Sequence, residues 1–98
     1  MVEIKASKMM TISTYANEIY AIRFNGIGRV DVFNNTDGEL SVSDSETGFT
    51  ASGNTAACIT LASGCGYNGY GYLSPASGNV IYIKTSAGGT VVITSNID

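Results

Sequence analysis

The side chains of this chain that could do chemistry are few, and most of them are carboxylates. The sequence contains no histidine, which removes Ser-His-Asp and Cys-His catalytic systems and the usual zinc sites. Four acids close together in sequence offer the oxygen ligands that Ca²⁺ prefers: Asp37, Glu39, Asp44 and Glu46. Their alternating spacing instead places them at strand ends and in a loop, as solvated charges. The sequence leaves open a pair of carboxylates at the separation that glycosidases use. Because the chain has so few acids, however, we predict no metal, no cofactor and no enzymatic activity.

Tyrosines in the segment GYNGYGYL form a second candidate site. In a strand, Tyr70 and Tyr72 share a face with Asn68, and aromatic area beside a polar amide stacks well on sugar rings or on a protein partner. Together with Tyr67 they suggest a carbohydrate- or receptor-binding module. The intervening glycines equally leave room for these aromatics in a core, which is the interpretation that we favour.

Cys58 and Cys65 lie seven residues apart across a predicted turn. They can form a disulfide if their Cα atoms come within about 7 Å. In a chain made in the cytoplasm, a free buried thiol is the commoner case.

Strands must position these residues, because apolar and polar residues alternate along most of the chain. Residues 1–8 predict an arm or a first edge strand, and residues 9–13 a short strand with Met10 and Ile12 on one face. Residues 18–24, 29–33 and 39–43 alternate clearly and predict an antiparallel meander with one solvated face. Its turns are residues 25–28 and 34–38, which are rich in Asn and Gly.

The second half predicts strands at residues 56–61 and 67–73, followed by a hairpin over residues 79–95. Its two apolar runs flank Ala87-Gly88-Gly89, a typical turn sequence. Both runs are apolar on both faces, which is typical of strands covered on both sides.

These segments predict one domain over residues 1–98. Its fold class is all-β, a two-layer antiparallel β-sandwich of about eight short strands, jelly-roll or immunoglobulin-like. The predicted core consists of Tyr20, Ile22, Val30, Val32, Leu40, Val42, Ile59, Leu61, Ile81, Ile83, Val92 and Ile93.

Alternation places Arg29, Asp31 and Phe33 on the solvated face of the predicted meander. An outward aromatic on such a face is costly unless something covers it. The cover is either a partner subunit or the polar loop at residues 44–55, which would make Phe33 part of a second core.

Composition and charge exclude several partners. Net charge is −3 and the five cations are scattered, so no basic stripe predicts nucleic-acid binding. No apolar run reaches the roughly 18 residues of a membrane span, and we expect no signal peptide, hence synthesis in the cytoplasm of a host cell. Charged residues make up only 13% of the chain, which favours a surface partly covered by a partner.

The order of pieces over residues 30–94 resembles small virion proteins of tailed bacteriophages, of the capsid decoration, cement or head-fibre type. It runs from a strand through NNTDGELSVSD, a polar loop and ITLASGCGYNGYGYL to NVIYIKTSAGGTVVIT. The resemblance implies a compact β-sandwich that assembles in many copies on a virion and binds other coat subunits. It assigns no functional residue.

Overall fold

The computed structural model of the chain describes residues 2–6, 9–24, 30–43, 59–67 and 80–95. These residues form no helix. They form nine strands, close to the number predicted: β1 (Val2–Lys5), β2 (Met9–Thr14), β3 (Ile19–Arg23), β4 (Val30–Thr36), β5 (Leu40–Ser43), β6 (Ile59–Leu61), β7 (Gly66–Tyr67), β8 (Val80–Thr85) and β9 (Gly89–Ser95).

The strands form two sheets, and this confirms the predicted all-β, sandwich-like fold. One sheet has five strands in the order β1-β3-β8-β5-β6, and the other has four in the order β2-β9-β4-β7. Side chains from both sheets meet in a single hydrophobic cluster. Neighbouring strands are antiparallel except β1 and β3, which run parallel. The parallel edge strand is the one departure from the predicted antiparallel order.

The eight strands from β2 through β9 pair in a nested order, from the two ends of the chain inwards. β2 pairs with β9, β3 with β8, β4 with β7 and β5 with β6. Two further pairs, β4 with β9 and β5 with β8, close this ribbon on itself. An eight-stranded ribbon rolled into two sheets is the jelly-roll arrangement, the first of the two predicted alternatives.

The predicted antiparallel meander is wrong. β3 and β5 belong to the five-stranded sheet, whereas β4 lies between them in sequence but belongs to the four-stranded sheet. The chain therefore passes from one sheet to the other between β3 and β4, and back again between β4 and β5, instead of turning within one sheet. Alternation identifies the buried face of a strand, but a neighbour in the same sheet and a partner across the core satisfy it equally well.

The predicted C-terminal hairpin is wrong for the same reason. β8 pairs with β3 and β5, whereas β9 pairs with β2 and β4. Residues 86–88 thus connect the two sheets. Gly89 is the first residue of β9 and pairs with Thr36 of β4. The two strands lie so close there that a Cβ on Gly89 would be 2.7 Å from the Cα of Thr36.

The core lies between the sheets and contains the predicted residues except Ile59 and Val92, which are half-buried. Val92 alternates with Val91 and Ile93, both of which point inward. Five further apolar residues are buried: Ile12, Ala21, Phe24, Val80 and Val91.

The outer face of the five-stranded sheet is not uniformly solvated, contrary to the prediction. Ala21, Ser43 and Val80 alternate with core residues along their strands, yet each is at most 3% exposed. β8 is buried along its inner face, whereas on its outer face Val80 is buried and Tyr82 and Lys84 are half-buried. The predicted cover on both sides of this strand is therefore only partial.

Buried polar groups join the connections at one end of the sandwich, and Asn34 is the centre of this network. Its Nδ2 donates to the carbonyl oxygens of Gly38 (2.9 Å) and Leu61 (3.0 Å). Its Oδ1 accepts from the backbone N–H (3.0 Å) and the hydroxyl (2.7 Å) of Thr36. The four bonds satisfy the amide completely. The sequence interpretation of residues 34–38 as a turn is thus wrong for residues 34–36, which belong to β4.

Candidate interaction surface

The outer face of the four-stranded sheet carries two of the predicted binding residues, Asp31 and Phe33. Strand register places side chains in rows across it: Thr11, Val92, Phe33 and Gly66 form the central row. We define this outer face by Met9, Thr11, Ser13, Asp31, Phe33, Asn35, Gly66, Thr90, Val92 and Thr94. Asp31 is the one charged residue in that set. Over its described residues the face is therefore a nearly neutral surface of hydroxyl, amide and apolar groups.

Phe33 is the largest side chain on this face. It is 41% exposed, so it is not a fully buried member of a second core. Its ring lies across Gly66, where an added Cβ would be 3.2 Å from its Cδ2 atom. Because Gly66 has no side chain, the Phe33 ring can lie over the neighbouring strand at this position. An aromatic ring that covers a glycine in this way stabilises a sheet edge.

A shallow depression of about 180 Å³ adjoins Phe33, lined also by Asp31, Gly66, Val92 and Thr94. Small-molecule sites usually measure roughly 300–1,000 Å³. This one is smaller and has room for a side chain of a partner. Alternation in the sequence predicts Asp31 and Phe33 on this face, but it does not predict Gly66, Val92 and Thr94 beside them, because strand register brings these residues together.

Several predicted site residues lie outside the described part of the chain: Arg29, Tyr70 and Tyr72. Tyr67 belongs to β7, with its Cα opposite that of Val32, and its side chain is also outside the description. The glycan-binding hypothesis based on these tyrosines stays a prediction.

The structure describes only some of the remaining candidate groups. Cys65 is a free, exposed thiol, so the predicted burial is wrong for this cysteine, and Cys58 lies outside the described residues. Asp37 and Glu39 are exposed in the connection from β4 to β5, whereas Asp44 and Glu46 fall in a stretch that the structure does not describe. Within the described ranges, no three Asp, Glu or Cys side chains come together as a possible metal site.

A second depression, of about 340 Å³, lies at the other sheet's β1 edge. It is lined by Glu3, Ile4, Lys5, Arg23 and Phe24. Arg23 Nη2 and Glu3 Oε1 are 3.5 Å apart, and both side chains are more than half exposed. Such exposed pairs contribute little to stability, and this feature is an open corner of the sandwich.

In the described part of the chain, no helix is long and apolar enough to cross a membrane. No family model matches the chain, and no curated protein matches its sequence.

Proposed function

We propose that this protein is a non-enzymatic structural subunit of a tailed-bacteriophage virion, a decoration, cement or fibre component that binds other coat subunits. The observation that carries the proposal is Phe33, 41% exposed on a nearly neutral sheet face. Contiguous apolar area on a face with few charges is the surface that protein partners cover.

The geometry around Phe33 supports a protein partner more than a small ligand. Half-buried Val92 lies opposite Phe33 on β9, and Met9, 73% exposed, lies on the same face at the edge strand β2. Hydroxyls of Thr11 and Ser13 lie on the same face and can form hydrogen bonds with a partner, whereas the Thr90 hydroxyl already bonds Asn35. An aromatic centre with a polar rim is typical of residues that dominate binding energy.

Fold and sequence pattern add weaker support. Jelly rolls occur in viral capsid domains and in lectins, but one fold hosts many functions, so this is an analogy only. The resemblance over residues 30–94 points to the same class. In a repeated assembly, small contacts reinforce one another because each bound subunit holds its neighbours at high effective concentration.

The test compares binding of purified protein to virions that lack it, using wild type, Phe33→Ser and Asn35→Ser. Asn35 is exposed on the same strand and face, and its side chain bonds only the Thr90 hydroxyl (2.9 Å) among the bonds described here. We expect Phe33→Ser to weaken binding by at least about tenfold, which is the loss of roughly 1.4 kcal/mol at one contact. Asn35→Ser should bind nearly as wild type does.

Circular dichroism and urea unfolding separate binding from folding. Under the proposal Phe33→Ser stays folded, because a good part of the ring is already in water. If Phe33→Ser unfolds the chain, Phe33 acts in the core and the contact lies elsewhere. A wild-type protein that ignores virions overturns the proposal.

A further inference from the structure

The two described sheets differ by one strand, and the extra strand lies at an edge. Connections of three or four residues join β2 to β3, β4 to β5, β6 to β7 and β8 to β9, and each passes from one sheet to the other. Strands joined so closely lie opposite one another across the core, because packed sheets are about 10 Å apart. β1 lies beyond β3, so among the described strands none faces it. The sandwich therefore has a step along this side, where β1 projects past β2.

The inner face of β1 is apolar and only partly covered. Val2 and Ile4 pair with core residues of β3, so their side chains point towards the inside of the sandwich. Val2 is nevertheless 41% exposed, and Ile4 and Ala6 are half-buried. Ile4 also lines the depression of about 340 Å³ at this edge. Met10 of β2, on the other side of the step, is half-buried as well, so an apolar strip with incomplete cover follows the step.

The backbone at the step is suited to further strand pairing. β2 has six residues, MMTIST, without the charges or proline that protect sheet edges. β1 carries Glu3 and Lys5, but these alternate with the inward residues and point to the outer face. The N–H of Ala6 donates to the carbonyl oxygen of Arg23 on β3 (2.8 Å). Because successive N–H groups of a strand point to opposite sides, those of Glu3 and Lys5 point away from β3, into the step.

We propose that two copies of this chain interlock at their steps, with β1 of each copy pairing with β2 of the other. The two-fold axis runs parallel to the strands, midway between the two sheets and next to β1. Rotation about it places the five-stranded sheet of one copy in line with the four-stranded sheet of the other, giving two continuous sheets of nine strands. β1 of each copy then occupies the position beside β2 that no described strand fills, and the described strands do not overlap.

Strand direction and side-chain faces match in this joint. β1 runs parallel to β3, and β3 runs opposite to β2 across their short connection, so β1 and β2 of the other copy are antiparallel. Directly opposite residues in antiparallel strands share a face. Inward Ile4 then lies opposite Met10 of the second copy, and outward Glu3 lies opposite its Thr11. The joint covers the apolar strip and leaves the charged side chains in water.

The shape of the step selects a second copy over a strand from another protein. A single foreign strand beside β2 would fill the open position but would leave the edge of β1 unpaired. A second copy pairs both edges at once, because the strand that projects from each copy is the one that the other lacks. Each copy gives and receives one strand, so the contact closes after two copies. This interlocking is independent of the proposed coat role, because it needs only this chain.

The test compares Glu3→Pro with Glu3→Ala by sedimentation. Both variants lose the side chain of Glu3 and its contact with Arg23. Proline also removes the N–H that points into the step and puts its ring there, while the bonds from β1 to β3 remain. We expect a dimer about tenfold weaker than wild type, or weaker still, for Glu3→Pro. Glu3→Ala should stay within about twofold of wild type, because an exposed ion pair contributes little.

Hydrogen exchange on wild type tests the joint without any variant. As protein concentration rises, the amides of Glu3 and Lys5 and the amides of β2 should become better protected together. Amides of β6 and β7, at the opposite side of the sandwich, should not change. Circular dichroism checks that Glu3→Pro is folded, and if it is not, the exchange measurement decides.

A wild type that stays monomeric up to about 1 mM overturns the interlocked dimer. Equal dimerisation of folded Glu3→Pro and Glu3→Ala, or concentration-dependent protection of β2 without β1, also overturns it. Phe33→Ser should leave the dimer intact, because Phe33 lies on the outer face away from the step. Loss of virion binding with an intact dimer, or the reverse, therefore tells which of the two proposals has failed.

Discussion

The ring of Phe33 lies across the backbone of Gly66, with only 3.2 Å between its Cδ2 atom and the place where a Cβ on residue 66 would stand. That space exists because β7 presents a glycine opposite Phe33 in the β4–β7 register. The position of the exposed ring on the outer face is therefore set by a residue on another strand.

Gly66→Ala should move the Phe33 ring without unfolding the chain. The added methyl crowds the ring, and the ring can shift because it is partly in solvent. We expect the free energy of unfolding to fall by about 1 kcal/mol, the low end of overpacking costs, while virion binding weakens. Urea unfolding and virion binding check the two effects. Unchanged binding would show that the ring position does not matter to the contact.

Gly89→Ala should destabilise the fold through a direct collision between strands. A Cβ there would lie 2.7 Å from Thr36 Cα and 2.9 Å from Thr36 Cβ, and the φ angle of Gly89 is +156°. Because backbone must move, we expect a loss of about 1–3 kcal/mol. Gly88→Ala is the matched control: its Cβ would meet only the Thr14 carbonyl oxygen, at 3.4 Å. Equal unfolding midpoints for both variants would contradict the described β4–β9 approach.

Asn34→Ala should be more damaging than Asn35→Ala, although the residues are adjacent. Asn34 is fully buried and makes four hydrogen bonds, so its removal leaves the Leu61 carbonyl and the Thr36 backbone N–H without this partner. Each buried group left unpaired costs about 1–3 kcal/mol. Asn35 is exposed, and its loss should change stability by less than about 0.5 kcal/mol. Similar losses for the two variants, measured by urea unfolding, would place Asn34 outside the core.

The faces of the strands could be predicted from sequence, but their partners could not. Tyr20 and Ile22 on β3, and Val30 and Val32 on β4, are buried as alternation predicts. Alternation reports which side of a strand meets the core. It does not report whether the next strand lies beside it or across the core, so both the meander and the hairpin were wrong.

The predicted turn was wrong at Asn34 and Thr36, because it rested on the local bonding preferences of these residue types. Asn and Thr favour turns because their side chains bond nearby backbone. Here the same bonds form inside a strand, where Asn34 also reaches Leu61, 27 residues later. The exposed Phe33 could be predicted from alternation, whereas its neighbours Gly66 and Val92 depend on long-range register.

The composition of purified virions tests the central claim most directly. If the proposed role holds, a tailed phage encodes this chain, and quantitative mass spectrometry on its particles should find the chain in many copies, at a fixed ratio to the major coat protein, and retained through repeated washing. Phe33→Ser in the same genome should lower that ratio, and Asn35→Ser should not. Wild-type particles without the chain, in cells that contain it folded and soluble, would contradict the account.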